Sequence, residues 1–172
     1  HWRLDESTGT AAYDSSGNNN GLLVNNPTRA TSSCKIGGCL SFDGTDRYIS
    51  VSNSSSLQAN EDLTISAWIY PTNLAAGRQG ILFKHYNNEY EVIMESSGQI
   101  GFYHGDGTWE EIQEPSMVAT QNTWNHIAIT RTIGNQTLYF YLNGVLKGTD
   151  TFTDIPTKST NPVLIGKRGS ST

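Results

Sequence analysis

Between Leu63 and Tyr70 apolar and polar positions alternate: Leu63, Ile65, Ala67 and Ile69 share one face, and Thr64, Ser66, Trp68 and Tyr70 share the other. A period of two belongs to a strand with one buried side. Pro71, which has no N–H to give a ladder, ends the run. The same pattern predicts strands over 47–51, 80–84, 90–94, 99–104, 124–132, 138–142, 145–147 and 163–165. Asn143-Gly144 stands between the two segments 138–142 and 145–147. That dipeptide favours a two-residue type I′ turn, so the segments should be antiparallel neighbours. No longer window carries a capped helical stripe, and no repeat recurs at a fixed period. The spacing is that of a sandwich, so the chain reads as all-β, with residues 1–172 forming a single domain.

Composition agrees. Of 172 residues, 35% are hydrophobic and 16% charged, enough apolar material for a core and too much for a disordered chain. Asn, Ser and Thr account for 52 residues and glycine for 17, a turn-rich and mostly uncharged surface. The net charge is −5 and the basic residues stand singly, which argues against a nucleic-acid partner. No apolar run reaches the roughly 18 residues of a membrane-spanning helix, so no membrane insertion of this segment is expected. Cys34 and Cys39 flank Lys35-Ile36-Gly37-Gly38, where the glycine pair lets the backbone reverse. A local disulfide is the preferred reading. The alternatives are two reduced small hydrophobes, or a metal pair, which lacks a second Cys or His pair nearby. A bridge would place the protein outside a reducing cytosol and, closing so short a loop, would pin a turn by about 2 kcal/mol.

Several motifs follow in order along the chain. They are His1-Trp2-Arg3-Leu4-Asp5-Glu6 with Gly9-Thr10, Tyr13-Asp14-Ser15-Ser16-Gly17-Asn18 with Gly21, and Lys35-Ile36-Gly37-Gly38 with Leu40-Ser41-Phe42-Asp43-Gly44. The strand 63–71, then Trp124-Asn125-His126-Ile127-Ala128-Ile129-Thr130 and Leu138-Tyr139-Phe140-Tyr141-Leu142-Asn143-Gly144, complete the series. Together they resemble bacterial and archaeal laminin G-like modules of the concanavalin A-like lectin/glucanase superfamily. The resemblance implies a jelly-roll sandwich of two curved antiparallel sheets. It also implies a last strand with an acidic pair, following 162–166 and lying beside the first strand, which this sequence lacks. The sheet edge left there would need a strand from another segment or chain, and it offers a route to self-association.

Three kinds of chemistry are candidates. Asp14-Ser15-Ser16-Gly17-Asn18-Asn19-Asn20-Gly21 packs oxygen ligands into a glycine-punctuated loop, as a hard cation wants. The resemblance implies structural calcium at Asp5, Asp14, Asn18 and Asp43, and an Asx-rich turn is the alternative. The segments His85-Tyr86-Asn87-Asn88-Glu89-Tyr90 and Tyr103-His104-Gly105-Asp106-Gly107-Thr108-Trp109 combine rings with amide and carboxylate groups. Sugars stack their C–H faces on such rings and bond their hydroxyls to such groups, which nominates Trp109, Asp106, Tyr103, His85, Tyr86 and Asn88 for ligand contact. The alternative is that these side chains cover a sandwich edge with their polar tips in water. The superfamily also contains glycoside hydrolases, whose retaining members need two carboxylates about 5–5.5 Å apart. Glu89, Glu91 and Glu95 are predicted on one face without that motif's aspartate or spacing, and Glu110-Glu111-Ile112-Gln113-Glu114 reads as a solvated loop. No enzyme activity is expected. Asn53-Ser54-Ser55 and Asn135-Gln136-Thr137 are N-glycosylation sequons.

The reading is an extracellular recognition module for carbohydrate or a cell-surface protein. Its rival is a structural or adhesive subunit of a pilus-like filament or surface layer, with a strand added across chains.

Overall fold

The computed structural model describes residues 1–169 as fourteen strands with two short 3-10 turns. In chain order the strands are β1 Ala11–Ala12, β2 Gly21–Val24, β3 Thr28–Ala30, β4 Cys39–Ser41, β5 Tyr48–Val51, β6 Leu63–Ile69 and β7 Gln79–Phe83. Then follow β8 Glu91–Met94, β9 Gln99–His104, β10 Glu110–Val118, β11 Asn125–Thr132, β12 Thr137–Leu142, β13 Val145–Thr151 and β14 Val163–Ile165. All pairings are antiparallel. An eight-stranded sheet in the order β1-β2-β5-β14-β7-β8-β9-β10 faces a four-stranded sheet, β13-β12-β11-β6, and β3 and β4 form a separate ribbon. This is the predicted jelly-roll sandwich.

The core lies between the sheets. Ile127, Ile129, Leu138, Phe140 and Leu142 of the smaller sheet belong to one cluster with Val92, Met94, Ile100, Phe102 and Ile112 of the larger. Each such side chain contributes about 1.5–3 kcal/mol by leaving water. β11 and β12 alternate buried and half-buried residues as one-sided strands should, whereas all four residues of β8 are buried. Its second face is covered too: Gly169 lies against the Phe83 ring, and Arg168 forks Glu91 at 2.8 and 3.1 Å. The β12–β13 turn takes φ +53° at Asn143 and +79° at Gly144, the left-handed pair a type I′ turn requires.

One segment departs from expectation. Residues 110–114 are not a solvated loop but the start of β10, the edge strand of the larger sheet. Glutamates and Pro115 suit an edge, where the outer N–H row needs no partner, while Ile112 and Met117 turn into the core.

The smaller sheet has an asymmetry. β6 pairs with β11 on one side, and among the described residues no strand lies along its other side. Its core-facing Leu63, Ile65, Ala67 and Ile69 are only half-buried, unlike their β11 neighbours. A cleft of about 1890 Å3 runs there, lined by every residue from 63 to 72, with Trp2–Asp5, Phe42, Ile81 and Ile165 among its other walls. Trp2 makes a single bridge to Asp14.

Candidate functional site

The two aromatic segments do come together. The Gly107 N–H donates to the Asn87 carbonyl at 2.9 Å, and the Thr157 N–H donates to the carbonyls of Asn88 and Gly105 at 3.1 and 3.2 Å. Gly105 is required: a Cβ there would fall 1.6 Å from the Thr108 carbonyl oxygen. This turn carries Trp109, whose side chain is 58% exposed. Trp109 leans on Tyr103 at 6.1 Å between ring centroids, Tyr103 meets Tyr86 edge-on at 6.4 Å, and Tyr86 stacks with His85 at 6.1 Å. Four rings thus form a continuous row across the sandwich end.

Their roles differ from a uniform loop platform. Tyr103 lies in β9 and is 3% exposed, so it supports the row from beneath. Burial, then the Glu111 carboxylate beside it, pushes its phenol well above the usual range. The Asn88 amide nitrogen donates to Thr157 Oγ1 at 2.6 Å and so ties loops together. Asp106 is exposed and accepts from Thr108 Oγ1 at 3.1 Å. Desolvation lowers the pKa of His85, keeping its ring neutral, and its Nδ1 and Asn87 Oδ1 are buried without a hydrogen bond from the protein.

His104 turns the other way. It is fully buried against Phe152 at 4.6 Å and beside Arg131, and burial followed by the Arg131 charge lowers its pKa to about 4. Arg131, also fully buried, donates to the carbonyls of Glu89 at 2.8 Å, Glu61 at 3.0 Å and Ala59. That clamp holds the loops beneath the aromatic row.

Sequence reasoning missed the polar patch beside the row. Phe83, Glu91, Tyr103 and Glu111 stand opposite one another across β7, β8, β9 and β10. The Arg78 guanidinium lies 5.5 Å over the Tyr103 ring, pairs with Glu95, and reaches Glu111 at 3.5 Å. Cross-strand register could have placed these residues together only once β10 was recognised as a strand. The three glutamates read as one face are also split. Glu91 faces Arg168, whereas Glu89 precedes β8 and turns inward to Lys84 at 3.3 Å and Ser159 at 3.0 Å.

Among the described residues no three His, Cys, Asp or Glu side chains gather as a metal cluster, and the residues nominated for calcium have the following partners. Each carboxylate has local partners. Asp14 accepts from the Ser16 N–H at 3.0 Å and hydroxyl at 2.7 Å. Asp43 accepts from three successive N–H groups, of Thr45, Asp46 and Arg47, and Asp5 pairs with Arg3 at 2.8 Å. Asn18 is exposed on its loop. The bonds of Asp14 and Asp43 to the N–H groups that follow them are those of Asx turns. Cys34 and Cys39 are bridged, with Cα atoms 5.6 Å apart.

A family model described as laminin G within the concanavalin A-like lectin/glucanases superfamily matches residues 43–172, and the chain belongs to that family. No curated protein matches it. Among solved structures it is similar to a botulinum neurotoxin serotype D binding domain (TM-score 0.67, 18% identity), covering 95% of this chain and 42% of that one. It is also similar to domain 4 of AbnA, an extracellular arabinanase from Geobacillus stearothermophilus solved with arabinotriose (TM-score 0.66, 20% identity, 98% and 80% covered). A structure of botulinum neurotoxin type C, whose cell entry depends on interaction with two ganglioside molecules, aligns at TM-score 0.63 and 15% identity, with 99% of this chain and 43% of that one covered. At these identities the likeness is one of fold.

Proposed function

We propose that this domain is a non-catalytic carbohydrate-recognition module acting outside the cell, with its ligand held at the Trp109 end. The observation that carries the reading is the fixed row of rings ending in exposed Trp109, beside the arginine and glutamate groups of the polar patch. A sugar's apolar face stacks on the indole while its hydroxyls meet planar, bidentate partners. The binding of arabinotriose by one similar domain and of gangliosides by another supports the ligand class. The disulfide supports an oxidising location, and no helix among the described residues is long and apolar enough to cross a membrane. The carboxylates of Glu89 and Glu91 are buried in ion pairs, an arrangement suited to structure rather than to paired acid and nucleophile. A glycan array tests the reading: Trp109→Ala should weaken the best ligand about 10- to 100-fold. An array on which nothing binds, or binding that survives this change, refutes it.

The cleft beside β6 favours a second reading, a structural or adhesive subunit completed by a strand from another segment or chain. Its length along 63–72 and its half-buried apolar wall suit main-chain pairing. Hydrogen exchange decides: the 63–69 amides should gain protection when the domain assembles, and unchanged exchange in assembled material removes the reading.

A further inference from the structure

The outward face of the smaller sheet carries chemistry that the Trp109 end does not account for. Across β6 and β11, Trp68 stands opposite His126, Ser66 opposite Ala128 and Thr64 opposite Thr130. On β12, Tyr141 stands opposite Ala128 and Tyr139 opposite Thr130. Tyr70 and Trp124 extend the first row beyond the strand ends and meet edge-on at 5.5 Å. One end of the face is therefore aromatic, and the remainder is a low floor of serine, alanine and threonine bordered by tyrosines.

The rings are exposed and held in place. Trp68 and Tyr70, on the polar face that the alternation of 63–70 predicts, are 39% and 43% exposed. His126 packs on Trp68 at 5.1 Å, and the Lys35 ammonium lies 4.6 Å over its ring. The Trp124 indole N–H donates to the Ser33 carbonyl at 2.9 Å. Rings held this way lose little rotamer freedom when a ligand stacks on them. Hydroxyls stand within the same surface, with Thr64 and Thr130 Oγ1 atoms 3.0 Å apart.

Charge separates this face from the other. The residues that β6, β11 and β12 turn outward include no carboxylate and no arginine, and Lys35 reaches over from the neighbouring loop. At the Trp109 end, by contrast, Arg78, Glu95 and Glu111 lie beside the rings. An uncharged surface of rings and hydroxyls matches a ligand made of apolar C–H faces and neutral hydroxyls. From Thr64 to Tyr70 the strand runs about 20 Å, long enough for several sugar units in line.

We propose that this face is a second carbohydrate-binding surface, taking a neutral, extended oligosaccharide along β6 with Trp68 and Tyr70 as its stacking anchors. The proposal rests on the carbohydrate reading above and makes the domain bivalent, so that it holds a polysaccharide at two points with a gain from effective concentration.

Amide and indole NMR shifts of the whole domain test it, with linear cello-, manno- and arabino-hexaose as neutral probes and sialyllactose as the charged one. At least one neutral hexasaccharide should move the signals of Ser66, Trp68, Tyr70 and His126. Trp68→Ala should weaken that response at least 10-fold while leaving any response at Trp109 unchanged. Mapping on the unaltered protein keeps the test valid if the variant folds poorly. Shifts confined to Tyr86 and Trp109 overturn this second surface and leave the first reading standing. Shifts at 66–70 that persist in Trp109→Ala uphold it even if the first site fails. Silence everywhere, a response at 66–70 to sialyllactose alone, or concentration-dependent dimerisation that shields Trp68 would each overturn it.

Discussion

Acidification from pH 7 to 4.5 should destabilise the fold through His104. Its ring is fully buried beside Phe152, with Arg131 near Nδ1 and Glu110 near Nε2. Burial and Arg131 outweigh Glu110, so the folded pKa falls from 6.5 to about 4. The sign follows. Between pH 6.5 and 4 the unfolded chain binds the proton and the folded chain does not, so stability is full above 6.5 and is lost as pH falls toward 4. Integrating between the two pKa values gives about 2 kcal/mol lost by pH 4.5, against a total stability of about 5–15 kcal/mol. His85 is also depressed by burial and adds in the same direction, so the comparison needs a variant. Urea unfolding followed by tryptophan fluorescence at pH 7, 6, 5 and 4.5 should show the loss in the native protein and a clearly shallower one in His104→Gln. Equal losses in the two proteins would refute the assignment to this ring.

Two further substitutions probe the supports of the Trp109 end. Arg131→Met strips donors from the buried carbonyls of Glu89 and Ala59, at about 1–3 kcal/mol each, so a loss of about 3–5 kcal/mol is expected in chemical denaturation, with little recovery in Arg131→Lys because an ammonium cannot fork to several loops. Gly105→Ala drives a methyl into the Thr108 carbonyl, so Trp109 emission should shift and glycan binding should fall by more than the melting temperature alone explains; wild-type binding would contradict the role given to this turn.

The sandwich was legible because its central strands obey a period of two. Ile127, Ile129 and Phe140 each face a neighbour of the same kind, and Asn143-Gly144 announces its own turn geometry. β10 was hidden because glutamates and a proline at a sheet edge look locally like a loop, and only long-range pairing with β9 distinguishes the two. The aromatic end was legible as composition, but not as arrangement. The period of two over 99–104 sends Tyr103 and His104 to opposite faces, but because both faces of β9 are buried it does not say which lies under the ring row and which in the core. Trp68 was legible, since its alternation with Ile69 places it on the polar side, where it is 39% exposed.

The Cys34–Cys39 bridge closes too small a loop to matter much to global stability, but Ser33 and Lys35, on either side of Cys34, are the groups that hold Trp124 and Trp68. The shape of an outward face is thereby made conditional on the redox state of its surroundings. A reduced domain is expected to melt within a few degrees of the oxidised one while its indole signals broaden and lose dispersion. Folding alone then would not complete the protein; oxidation would be the step that sets its surface, and unaltered Trp68 and Trp124 signals in reduced protein would show that the hairpin holds those rings without it.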